Sequence, residues 1–222
     1  VDDMINLVSD AGIDVLSAIA SPFAGEAILL SDRQKNAGVA LIDIGAETTT
    51  LSVFENGTMI AIQVFPIGSL DITNDIALGL QISLDEAEEV KIGSFIGNHS
   101  RKKVDEIVDG RLTDIFEIID SYLKKIKRSG LLPAGVIILG GGSLLHQVTR
   151  VAKNTLQVPA QVAHSEFFAN SKNKAKDGTW LGVYGLLLAL GGDGDENSGV
   201  AVAEFFSNIS KSLKNSFRQL LP

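Results

Sequence analysis

The segment Leu41-Ile-Asp-Ile-Gly-Ala-Glu-Thr-Thr-Thr-Leu-Ser-Val-Phe-Glu-Asn-Gly57 constrains the fold more than any other part of the chain. Apolar residues run into a short acidic-glycine turn, resume as a second strand and stop at Asn56-Gly57. Asn-Gly between two such runs favours a tight hairpin, because both residues tolerate the positive φ of a type I′ turn. The first turn carries chemistry as well as shape. A buried strand delivers Asp43 to its end, Gly45 lets the backbone approach a ligand, and Thr48 and Thr49 offer hydroxyl and amide donors. That set suits a phosphate with its metal ion; a plain hairpin is the alternative these residues leave open.

Elsewhere, strands alternate with helical periods, which points to α/β architecture. The pattern predicts a helix at the start of the chain (Met4, Ile5, Leu7, Val8, Ala11), a short strand at Val15 to Ala20 and a helix begun near Pro22. A three-stranded meander follows at Gly38 to Ile44, Thr48 to Phe54 and Thr58 to Phe65, then a helix at Leu70 to Leu80. Ser83 and Glu86 have capping-box spacing ahead of a second helix to Lys91. Val108, Leu112, Ile115, Ile119, Leu123 and Ile126 form one stripe of a long helix, Val104 to Lys127. Beyond it come a strand at Gly135 to Leu139, three glycines at 140 to 142, a helix from about Leu144, a strand at Gln161 to Ala163 and a buried helix at Thr179 to Leu190. Gly191 to Gly199 has the composition of a flexible linker.

Composition narrows the function classes. A chain of 222 residues, 45% hydrophobic, can bury one large core or two modest ones. A formal charge of -8 and a pI near 4.9 argue against a general nucleic-acid surface. The absence of cysteine excludes disulfides and thiolate metal sites. His99, His146 and His164 lie far apart, without ligand spacing, and read as ordinary polar residues. Trp180 to Leu190 is apolar but too short to span a bilayer. The chain opens at Val1 inside a helical pattern, which reads as a fragment lacking an N-terminal part.

Two further motifs bear on binding. Val136-Ile-Ile-Leu-Gly-Gly-Gly-Ser143 is a buried strand ending in glycines, where a flat base or an α-phosphate could lie against bare backbone near a helix N-terminus. A tight strand–helix turn that only needs small residues is the competing explanation. In Asp85-Glu-Ala-Glu-Glu-Val-Lys91, Glu88 and Lys91 share a helix face. They suit ribose hydroxyls and a base, or simply form a solvated pair.

The order of these pieces, Asp-x-Gly-x-x-Thr-Thr, then Ala-Glu-x-x-Lys, then Leu-Pro-x-Gly-Val-x-x-x-Gly-Gly-Gly-Ser, resembles the second half of the actin-like ATPase superfamily. Within it, Ser129 to Ser143 and Ile67-Gly-Ser-Leu-Asp-Ile-Thr-Asn-Asp-Ile-Ala77 are most similar to the FtsA family of bacterial cell-division proteins. The resemblance covers roughly residues 4 to 190. It implies an actin-like (ribonuclease H-like) α/β ATPase subdomain at 37–82 and 129–190, an inserted smaller α/β subdomain at 83–128, and a remnant of a first domain at 1–36, the N-terminal half being truncated. It implies ATP and Mg²⁺ as cofactors. Asp43 would hold the metal's water shell or the attacking water, and Gly45, Thr48 and Thr49 the β- and γ-phosphates. Glu88 and Lys91 would contact adenosine, and Gly140, Gly141 and Gly142 the base and α-phosphate. Where the family usually has glycine this chain has Glu47, and a carboxylate facing a triphosphate would weaken nucleotide affinity.

Residues 203–222 are amphipathic. Phe205, Phe206, Ile209, Leu213, Phe217, Leu220 and Leu221 fall on one side of a helix, and Lys211, Lys214 and Arg218 on the other. A large apolar face, a cationic polar face and a loose tether at 191–202 mark an interfacial helix drawn to an anionic membrane surface; docking on the protein's own core or on a partner is the alternative. FtsA-like proteins carry a membrane-targeting helix at this place. The resemblance further implies binding of the FtsZ C-terminal tail on the smaller subdomain, self-association into protofilaments, at most slow ATP hydrolysis, and residence at the division site on the cytoplasmic side of the membrane, with no nucleic-acid partner. A sugar or acetate kinase-like phosphotransferase and a pilus-assembly actin homologue are the alternatives.

Overall fold

The computed structural model describes residues 2–15, 29–93 and 100–163. The chain divides into two compact units, one of Val1–Ala27 with Gly182–Pro222 and one of Ile28–Leu181. In the first, the described residues form helix α1 (Asp2–Asp10), none of whose side chains is buried. Val15 is not in a strand; the rest of the strand expected there, the helix near Pro22, the helix at Thr179 to Leu190, the linker and the amphipathic tail lie outside the described residues.

The second unit is built on a five-stranded sheet in the order β3-β2-β1-β4-β5, with β1 Val39–Ile44, β2 Thr49–Glu55, β3 Thr58–Phe65, β4 Val136–Leu139 and β5 Ala160–Val162. Strands β1, β2 and β3 form the expected antiparallel meander. Its second turn has φ of 52° at Asn56 and 76° at Gly57, the positive pair that Asn-Gly accepts readily. β4 runs parallel to both β1 and β5. Consecutive residues of β1 and β4 are buried on both faces of the sheet, which is why both read as unbroken apolar runs.

Helix α2 (Asp32–Ala37) precedes β1 and is capped by Ser31, whose Oγ accepts from Gln34 N. After β3 come α3 (Ser69–Leu80) and α4 (Leu84–Lys91); Ser83 caps α4, its Oγ accepting from Glu86 N as the spacing predicts. The long helix α5 (Arg101–Lys125) buries Val104, Val108, Leu112, Ile115, Phe116, Ile119 and Leu123. That stripe merges with Ile42, Ile44, Leu51 and Ile138 of the sheet and Ile72 and Ile76 of α3 in one core. Among the described residues, the segment 83–128 contributes α4 and α5.

One boundary differs from the sequence expectation. The glycines lead into a single 3-10 turn, Gly141–Leu144, and α6 (Val148–Leu156) begins only at Val148 instead of near Leu144. Leu145 is extended, at φ -68° and ψ 123°, and breaks the helical path between the two. Ser143 Oγ donates to the Gly140 carbonyl at 2.7 Å and closes the turn on itself.

Candidate functional site

β1 and β4 are parallel neighbours with Asp43 opposite Leu139, so the turn after β1 and the glycine triplet after β4 emerge side by side. In open α/β sheets, ligands collect at such carboxyl ends of adjacent parallel strands. The contact here is intimate. A Cβ on Gly140 would run into Asp43 Oδ1 and the Ile44 carbonyl, and one on Gly142 into the Ile44 side chain. Gly140 also has φ of 82°, where a side chain is strained. Gly141 is different: an added Cβ there meets nothing within 4 Å. Two of the three glycines are thus required by the protein's own packing, and the third leaves open space beside the turn.

The turn after β1 is closed by Gly45 N donating to the Thr48 carbonyl at 2.9 Å. Its own carbonyls are taken up by the next helix: Ser69 N donates to Gly45 O at 2.9 Å and Leu70 N to Ala46 O at 2.8 Å. Gly68 permits this approach, since a Cβ there would overlap the Ala46 carbonyl. Gly68 N is satisfied by Asp71 Oδ2 at 2.9 Å, so the first turn of α3 is saturated from within. Thr48 is exposed, whereas Thr49 is fully buried and its hydroxyl donates to Ile67 O at 2.8 Å. The Thr49 side chain therefore anchors the β3–α3 connection. Asp43 is half-buried, and burial raises its carboxyl above the ordinary aspartate range. Glu47 is exposed on the turn.

Glu88 and Lys91 form an ion pair on one face of α4. Lys91 Nζ lies 2.7 Å from Glu88 Oε2 and also donates to Thr73 Oγ1 at 2.9 Å and Ser69 O at 3.1 Å. These are three acceptors for an ammonium's three protons. Thr73 Oγ1 in turn donates to Glu88 Oε2 at 2.6 Å. The Lys91 side chain is 8% exposed and that of Glu88 46%, so the lysine is a buried clasp and the carboxylate remains reachable. Burial opposes ionisation of Glu88, but hydrogen bonds from Lys91 and Thr73, with the lysine's charge, outweigh it and lower its pKa.

A cavity of about 450 Å³ gathers Glu88 and Lys91 with Ser69, Gly141 and Gly142, within the size range of small-molecule sites. Val90, Val104, Val108, Leu144 and Leu145 supply its apolar lining. Asp43, Gly45, Thr48, Thr49 and Gly140 are not among its lining residues; Asp43 lies against Gly140, the residue that precedes Gly141 in the chain. The sequence reading did not single out Asp105 and Gln147 and took His146 for an ordinary polar residue; all three also line it. Their signal was faint: one acidic residue on a long helix, and two polar residues just past the glycine turn. Among the described residues, no group of three or more carboxylate or histidine side chains could hold a metal ion.

Residues 40–179 match the family model described as cell division protein FtsA. The chain is similar to the cell division protein FtsA of Bacillus subtilis (strain 168), 32% identical over 187 residues that cover 74% of this chain and 42% of that protein. It spans less than two thirds of these curated relatives, 42% of this one and 57% of the Buchnera aphidicola protein. Among solved structures it is similar to the PilM-PilN type IV pilus biogenesis complex (TM-score 0.67, 21% identity, 83% of this chain and 56% of that one). MreB 5 of Spiroplasma citri bound to AMPPNP superposes with a TM-score of 0.66 at 15% identity, over 97% of this chain and 66% of that one. The archaeal actin homologue Ta0583 gives 0.53 at 17%, over 73% and 52%. At these identities the likeness establishes the fold alone, which is actin-like.

Proposed function

The chain belongs to the FtsA family of cell division proteins, and from that premise we propose that its cavity binds ATP and that the whole protein tethers the FtsZ polymer to the cytoplasmic face of the membrane at the division site. The observation that carries the nucleotide reading is convergence: Glu88 and the open backbone at Gly141, far apart in sequence, line one cavity beside the Asp43 turn. A related fold, MreB 5 of Spiroplasma citri, has been solved with AMPPNP.

The residues fit such a ligand. Glu88 presents a carboxylate held in place by Lys91 and Thr73, an acceptor suited to ribose hydroxyls. Gly141 gives a base or α-phosphate room against the backbone. Thr48 and the Gly45 turn would meet the outer phosphates, with Asp43 holding a water of the magnesium shell. ATP would supply the free energy of its binding and slow hydrolysis to closure of the whole protein's two halves. Membrane attachment falls to the basic, amphipathic residues 203–222, and among the described residues no helix is long and apolar enough to cross a bilayer. Family membership favours this reading over a phosphotransferase.

Calorimetric titration of the chain with ATP and Mg²⁺ tests the proposal. Saturable binding is expected, weakened about tenfold by Glu88→Ala and tightened by Glu47→Gly, which removes a carboxylate from the phosphate turn. Absence of binding to the chain carrying Glu47→Gly would sink the nucleotide reading.

A further inference from the structure

We draw no further inference here: the strongest candidate, the exposed apolar row of Ile60, Ile62 and Val64 along β3 at the end of the sheet, carries nothing because nothing in the structure shows what covers it.

Discussion

Lys91 Nζ donates to the carbonyl oxygen of Ser69 at 3.1 Å, joining residues 22 apart in the chain. Ser69 N donates in turn to Gly45 O. The ammonium on α4, the first turn of α3 and the turn after β1 are thereby linked in series, so the carboxylate at the cavity wall and the backbone at the strand end share one scaffold.

Removing Lys91 should loosen that scaffold. Lys91→Met leaves Glu88, Ser69 O and Thr73 without their shared donor, and should lower stability to urea by about 1–3 kcal/mol. Glu88→Gln should cost less, because the amide oxygen still accepts and Glu88 is half in solvent. The folded-state pKa of Glu88 is depressed, so its ionised form contributes stability above the ordinary glutamate range and loses it as pH falls through the folded value. The gap between Glu88→Gln and the unmutated chain should close on acidification.

The glycine triplet should divide under alanine substitution. Gly140→Ala and Gly142→Ala place a methyl against Ile44, and at 140 also against Asp43, and should destabilise by about 1–3 kcal/mol. Gly141→Ala should leave the unfolding free energy within about 0.5 kcal/mol while weakening ATP binding, since its methyl enters space the nucleotide would use. Equal unfolding losses at all three positions would count against this division.

Asp43 should set a pH dependence of opposite sense. Burial raises its folded-state pKa, so the protonated form is favoured in the fold and stability is lost as pH rises through the folded value. Asp43→Asn should therefore raise the melting temperature at neutral pH in the absence of nucleotide, with the advantage shrinking on acidification. The same variant should reduce the Mg²⁺ dependence of ATP binding, read by titrating ATP with and without the metal.

The tail should act as the membrane contact. Sedimentation with vesicles containing anionic lipid should capture the chain, and Phe217→Glu, which puts a charge in the apolar face, should release most of it. High salt should weaken capture through the Lys211, Lys214 and Arg218 face. Capture of Phe217→Glu at the level of the unmutated chain would overturn the assignment.

Local pattern alone was enough for the meander, the Asn56-Gly57 hairpin, the stripe of α5 and the Ser83 cap. Each depends on residues within a few positions of one another, where period and turn chemistry act directly. The glycines and Glu88 were visible as a set only through their order along the chain. Tertiary structure decided what each of them does. Parallel pairing of β1 with β4, distant in sequence, sets Gly140 and Gly142 against Ile44 and leaves Gly141 open. Packing of α4 on α3 turns Lys91 into a buried clasp, and α5 meeting the start of α6 leaves Gln147 Oε1 without a donor. A side chain's hydrogen-bonding partners come from whatever segment the fold brings within about 3 Å of it, and that distance is set by packing between elements, on which sequence spacing is silent.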